Sequence, residues 1–286
     1  MSTSAEGSAG STSSDPLRVV ETWDHPAAAG LRTASSERTA GPAGRVFPWA
    51  SVTKVLTSVA VWVAVEEGTV AWEDPVGPPG STLAHLLAHA SGLSPDGGSV
   101  LSAPGRRRIY SNGGFELAAD HLTAASGMSF PAYLRQAVLE PLGMAATLLA
   151  GSPASGARGP VDDLLRLAGE LMRPRLISRV TLDRATSVAF PGLAGVLPGF
   201  GRQENNDWGL GVEIRDSKAP HWTGAANSPR TFGHFGQAGG FVWVDPDAGT
   251  ALACLSDRPF GEWAKEAWPQ LSDAVLTATR RRPPPP

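Results

Sequence analysis

SVTKVLTSVAVWVAVEEG, residues 51–68, is the stretch on which the reading of this chain turns. Two periods compete within it. Val59, Val61, Val63 and Val65 alternate as in a strand, and β-branched residues favour strands. The intervening Ala60, Trp62 and Ala64 are apolar too, so alternation separates no two faces. The run is too long for an ordinary strand, and Glu66-Glu67-Gly68 fits a helix end. The spacing therefore predicts a helix from Ser51 to Glu67, closed by Gly68. A helix apolar on every side is a buried, central one.

The head of this helix reads Ser51-Val52-Thr53-Lys54, an S-x-x-K. Residues three apart share a helix face, so the Lys54 amine can approach the Ser51 hydroxyl. Free backbone N–H groups at a helix start also favour negative charge developing there. A serine hydroxyl is a poor nucleophile until a base takes its proton. A lysine buried among apolar residues has its pKa pulled below the ordinary ~10.4 and can be that base. Only three lysines occur, Lys54, Lys218 and Lys265, among 24 basic residues, so each needs a reason.

Outward from this helix, further helices are predicted over Ser81–His89, Asn112–Ala125, Ser129–Leu139 and Val161–Met172. After Asn206 the pattern turns to strands: Trp208–Arg215, then Ala238–Asp245 and Thr250–Ser256 joined by the turn Pro246-Asp247-Ala248-Gly249. A last helix spans about Glu262–Ala278. Upstream, Leu17–Val20 and Ala27–Leu31 suggest short edge strands. The order gives an α/β (α+β) chain, an antiparallel sheet flanked by helices with an inserted all-helical lobe at about 76–205. Residues 1–14 and the basic, proline-rich 280–286 have the composition of disordered ends, leaving 15–279 as one catalytic domain.

Two further motifs follow. Tyr110-Ser111-Asn112 heads a predicted helix and offers a proton carrier and a carbonyl-binding amide; equally, Asn112 could be only a cap and Tyr110 only core. His234-Phe235-Gly236 opens the strand region, where glycine lets a ligand lie against the backbone. His234 could instead be a solvent-facing residue on a glycine-rich turn.

In this order, on helix, helix head and strand, the three motifs resemble the S-x-x-K, Y-x-N and (K/H)-x-G set of the serine β-lactamase and penicillin-binding-protein family. The likeness runs from about Val46 to Asp257. It includes Asp74-Pro75-Val76, the stretch Leu86-Leu87-Ala88-His89-Ala90-Ser91-Gly92-Leu93, Pro104-Gly105 and Pro141-Leu142-Gly143-Met144. It is nearest to class C β-lactamases, D-alanyl-D-alanine peptidases and related esterases.

The resemblance implies an α/β fold with a helical lobe and the active site between them. Ser51 would be acylated, and Lys54 and Tyr110 would share its proton, with the acylation base undecided between them. Asn112 would hold the acyl-side carbonyl, and His234 and Gly236 would line the substrate. The backbone N–H groups of Ser51 and Gln237 would form the oxyanion hole. His234 departs from the lysine of many β-lactamases. Titrating near 6.5, it would attract a substrate carboxylate only as pH falls. A carboxylesterase-like activity is therefore expected. A D-alanyl-D-alanine carboxypeptidase or weak β-lactamase is the alternative, and a non-catalytic binding protein is the reading from another class.

Composition narrows the rest. A net charge of −3 gives no reason to expect nucleic acid or an anionic membrane as partner. The expected partner is a small-molecule ester, amide or β-lactam. The longest apolar stretch, Val55–Val65, is far short of the roughly 20 residues of a membrane span. Residues 1–14 carry no secretory pattern, so a cytoplasmic location is expected. Cys254, the single cysteine, reads as a buried apolar residue. His85 and His89 stand four apart, yet the glutamate of a zinc-peptidase helix is missing, and no metal or cofactor is expected. No G-x-S-x-G and no phosphate-binding glycine loop occurs. The nine tryptophans read as core.

Overall fold

The computed structural model describes residues 15–280. The two ends for which the composition suggests disorder, 1–14 and all but Arg280 of 280–286, lie outside the described residues. The chain begins with a 3-10 turn over Pro16–Thr22, then β1 (Ala27–Thr33), β2 (Glu37–Ala40) and β3 (Phe47–Pro48). A second 3-10 turn, Ala50–Val52, leads into α1 (Thr53–Glu66). There follow α2 (Leu83–Leu87), α3 (Asn112–Ser126), α4 (Phe130–Leu134) and α5 (Glu140–Leu142). Next come β4 (Leu148–Leu149), β5 (Ala157–Gly159), α6 (Val161–Met172), α7 (Arg179–Ala185), β6 (Gly195–Leu197) and β7 (Gly201–Gln203). The chain closes with β8 (Glu213–Ile214), β9 (Phe232–Gly236), β10 (Gly240–Asp245), β11 (Thr250–Ser256) and α8 (Glu262–Arg280).

Six strands form an antiparallel sheet in the order β2-β1-β11-β10-β9-β8. The expected hairpin is β10–β11, with Asp245 opposite Thr250. One face is covered by α8 and the N-terminal turn, which bury Leu17, Val20, Trp268, Leu271 and Val275 against Leu31, Trp243, Leu252 and Cys254. Cys254 is fully buried, as its apolar surroundings imply. The other face takes α6. There Gly30 of β1 leaves room that any side chain would fill, because an added Cβ would lie 2.4 Å from Leu165 Cδ1. Among the described residues no helix is long and apolar enough to cross a membrane.

The central helix is as the sequence implies. Thr53 through Ala64 of α1 are all buried, and Gly68 closes it in the left-handed conformation at φ +72°. The Trp62 indole donates to Leu210 O at 2.9 Å, tying the helix to the sheet side. The α-helix starts at Thr53, so Ser51 sits two residues earlier, in the 3-10 turn.

Three local expectations are corrected. Leu17–Val20 is not a strand: Asp15 caps the turn by accepting from Leu17 N at 3.1 Å, and Pro16 favours a helical start. Ala27–Leu31 is no edge strand, because β1 lies inside the sheet between β2 and β11. Trp208–Arg215 is not one strand but a tight reversal, with Gly209 N bonded to Val212 O at 2.9 Å and Trp208 bridged to Glu213. Gly211, at φ +106°, makes that turn against α1, where a Cβ would meet Ser58 Oγ at 1.8 Å. Only Glu213–Ile214 joins the sheet. Between α1 and β8 the helices are accompanied by short strand pairs, β4–β5 beside β3 and the β6–β7 hairpin.

Candidate active site

The 3-10 turn at the head of α1 presents Ser51, and Lys54 lies one helical turn on, wholly buried. Its Nζ donates to Asn112 Oδ1 at 2.6 Å and Ala154 O at 2.9 Å, and lies 3.4 Å from Ser51 Oγ. It also stands 4.7 Å from the Tyr110 ring centroid and 5.5 Å from that of Phe115. Burial pulls the Lys54 pKa down from 10.5 to about 7, with the Glu116 charge acting in the opposite sense. An amine with that pKa is about half free to accept a proton at neutrality, which an ordinary surface lysine is not.

Glu116 reaches this amine through the loop that holds it. Its carboxylate accepts from the Ser152 hydroxyl, and Ser152 Oγ accepts from Ala154 N at 3.0 Å. Thr57 Oγ1 ties the same loop to α1 by donating to Pro153 O at 2.6 Å.

The two readings of Asn112 separate clearly. Ser111 caps α3, its hydroxyl accepting from Gly114 N at 3.1 Å, so the Asn112 amide is left to face Lys54. Tyr110 precedes them, its hydroxyl 3.4 Å from His234 Nε2. Desolvation raises the phenol pKa well above its ordinary value, with a hydrogen bond to Ser51 opposing. Tyr110 therefore keeps its proton at rest.

His234 is the departure from expectation. It is not on a solvent-facing turn but in the middle of β9, opposite Val242, and only 3% exposed. Its Nδ1 lies 2.6 Å from Phe235 O, which fixes that nitrogen as the donor and leaves Nε2 facing Tyr110. Burial, and then the nearby Lys54 charge, push its pKa down to about 3. The near-neutral titration inferred for His234 is thus corrected: the ring is neutral throughout the physiological range. Gly236 explains why β9 can lie so near the turn that carries Ser51. A Cβ there would sit 2.3 Å from Trp49 O and 3.3 Å from Ser51 N.

Ser51, Tyr110, Asn112, His234 and Gln237 line one cavity of about 160 Å³. Lys54 forms its inner support and Gly236 the contact beneath. Sequence reasoning missed the remaining lining residues: Leu197, Pro198, Trp208, Glu213 and Phe235. Trp208 is thus both core and cavity wall. Glu213 is buried, accepting from Trp222 Nε1 at 2.6 Å, with His221 Nε2 at 2.8 Å and Lys218 Nζ at 3.5 Å. Burial pushes its pKa up, but His221 and Lys218 outweigh that and hold the carboxyl at about 2. This supplies the reason for the second lysine. The scarcity of lysine was the one sequence signal that pointed here. Of the two histidines spaced four apart, His85 Nδ1 meets Thr82 Oγ1 at 2.8 Å, and His89 Nδ1 accepts from Ser111 N.

A family model described as "Beta-lactamase" matches residues 25–276. A beta-lactamase (Mb2281c) from Mycobacterium bovis superposes with TM-score 0.91 at 52% identity, over 93% of this chain and 99% of that one. A simvastatin synthase, LovD, from Aspergillus terreus shares the fold at TM-score 0.77 and 16% identity, over 93% and 94% of the two chains. The octameric penicillin-binding protein homologue of Pyrococcus abyssi does so at TM-score 0.72 and 18% identity, over 91% and 75%. A curated relative, the D-alanyl-D-alanine-carboxypeptidase/endopeptidase AmpH of Escherichia coli K12, is 30% identical over 141 residues. That match spans 36% of this chain and 37% of the relative.

Proposed function

The chain belongs to the beta-lactamase family, and on that premise we propose that it is a serine hydrolase of small neutral carboxylic esters, working through an acyl-enzyme on Ser51. One observation carries the proposal: a buried lysine with a pKa of about 7, 3.4 Å from a serine hydroxyl at a cavity wall. In this reading neutral Lys54 takes the Ser51 proton as the hydroxyl oxygen attacks the ester carbonyl. Tyr110, still protonated, passes a proton to the departing alkoxide and recovers one from Lys54. The backbone N–H groups of Ser51 and Gln237 would receive the oxyanion, and Asn112 would steady the acyl carbonyl while holding Lys54. Water then attacks the acyl-Ser51 carbonyl with the same groups in reverse.

Glu116 bears on the first step through its charge, which favours the ammonium form of Lys54. Removing it lowers the pH at which Lys54 is free to act. Glu116→Gln is accordingly expected to move the acid limb of kcat/KM to lower pH by roughly half a unit, the scale of a screened charge pair. A limb that stays in place, or moves to higher pH, would contradict Lys54 as the base.

Neutral substrates are favoured by the cavity walls. His234 is uncharged, Glu213 is ionised, and Leu197, Pro198, Trp208 and Phe235 are apolar. Among the described residues that line the cavity there is no lysine or arginine to receive a carboxylate. The volume, about 160 Å³, matches cavities of ~150 Å³ that take a benzene-sized group, so short acyl chains fit. The activity test is a comparison of 4-nitrophenyl acetate and butyrate with a chromogenic penicillin. The esters are expected to have kcat/KM at least about tenfold higher. Because His234 stays neutral, the ratio is expected to be flat from pH 8 to pH 5.5. A ratio that swings toward penicillin as pH falls would mean that His234 takes up a proton.

The likeness to the M. bovis beta-lactamase favours a second reading, hydrolysis of a β-lactam amide by the same groups. Penicillin turnover exceeding that of the esters at pH 8 would select it.

A further inference from the structure

His89 takes no part in the steps above, yet its surroundings are built as closely as those of the residues that do. It is 1% exposed and follows α2 in the left-handed conformation, φ +53°, which is uncommon for residues other than glycine. Its carbonyl accepts from Ile109 N at 2.9 Å, and its ring Nδ1 accepts from Ser111 N at 3.1 Å. One residue thus holds the backbone immediately before and immediately after Tyr110. The ring also lies against the Tyr110 ring with centroids 4.5 Å apart, and meets Trp208 edge-to-face at 4.6 Å. The neighbouring segment is fastened in the same direction, since the Arg108 guanidinium donates to Ala88 O at 2.7 Å.

The protonation state follows from these contacts. A ring nitrogen that accepts a backbone N–H carries no proton, so the proton is on Nε2. That nitrogen has no hydrogen-bond partner among the described residues and lies in aromatic surroundings. Burial holds the His89 pKa well below its ordinary value, with the charges of Lys54 and Arg108 acting in the same sense. The ring is thus a fixed acceptor and not a proton carrier. It does not reach the cavity, so it touches no substrate.

We infer that His89 is a positioning residue for Tyr110, its carbonyl, Nδ1 and ring face together setting the phenol hydroxyl between the Ser51–Lys54 pair and His234. This rests on the reading of Tyr110 as part of the proton path. Ser111 and Asn112 have anchors of their own, Ser111 Oγ donating to Ser94 O at 2.6 Å and Asn112 N to Pro95 O at 2.7 Å. Loss of the His89 ring therefore frees Tyr110 in particular. A displacement of about 1 Å is enough to cost roughly 10²-fold in rate.

The test is a double-mutant cycle on ester hydrolysis. His89→Gly removes the ring without adding strain at positive φ, and His89→Asn keeps both an acceptor near Nδ1 and tolerance of that φ. His89→Gly is expected to lower kcat about 30-fold with KM changed less than about threefold. Tyr110→Phe is expected to lower kcat about 10²-fold. In the Tyr110→Phe background, His89→Gly should cost less than about threefold more, because what it positions is already gone. His89→Asn should stay within about fivefold of the unmodified protein, and it carries the test if His89→Gly does not fold. Losses that multiply across the cycle, or a folded His89→Asn as impaired as Tyr110→Phe, would overturn the inference while leaving the Tyr110 reading standing. An unimpaired Tyr110→Phe would overturn that reading and this inference with it.

Discussion

Ser51→Ala is expected to lower kcat for ester hydrolysis by about 10⁴-fold or more, to the level left by binding and oxyanion contacts alone. The fold should not notice the change. Ser51 is partly exposed, and the hydrogen bond its hydroxyl receives from Lys54 is long, at 3.4 Å, so its removal costs less than about 1 kcal/mol. A melting temperature within a few degrees of the unmodified protein, together with lost turnover, is the expected pair of results. Retained turnover by a folded Ser51→Ala protein would remove the nucleophile from the account.

Lys54→Arg is expected to be nearly as damaging as Lys54→Ala, a loss of about 10³-fold in acylation, although the charge is kept. Arginine stays protonated at any working pH, whereas Lys54, with its pKa of about 7, is half free at neutrality. The distinction is one of role. If Lys54 served only as a fixed positive charge holding Asn112 and a phenolate, arginine would largely replace it. Near-normal acylation by Lys54→Arg would hand the base role to Tyr110. That outcome is disfavoured because desolvation keeps the Tyr110 proton in place. Circular dichroism of both variants separates lost chemistry from lost packing, since Lys54 is fully enclosed.

Much of this was legible in the residues themselves. The all-apolar run from Val59 to Ala64 permits no polar face, so it could only be central, and the serine and lysine upstream of it were placed with the same helix. The β10–β11 hairpin announced itself through Pro246–Gly249. What could not be read was set by long-range packing. Ala27–Leu31 looks like a weak edge strand by itself and is interior only because Thr250–Ser256 pairs with it. Trp208–Arg215 has the composition of a strand, and its reversal at Gly209–Gly211 follows from contact with Ser58 of α1. The protonation of His234 was misjudged for the same reason. Its pKa belongs to the enclosure made by Tyr110, Trp208 and Lys54, which no local sequence encodes. Glu213 was invisible because its partners Lys218, His221 and Trp222 form a site only in the folded chain.

Whether Ser51 carries the acyl group can be measured directly. The protein is mixed with a slowly deacylating ester or a penicillin, quenched in acid within seconds, digested and mapped by mass spectrometry. The proposed mechanism predicts one acyl increment, on the peptide containing Ser51 and fragmenting to that residue, which decays as hydrolysis proceeds. Turnover with no increment on Ser51, or with the increment on another residue, would contradict it.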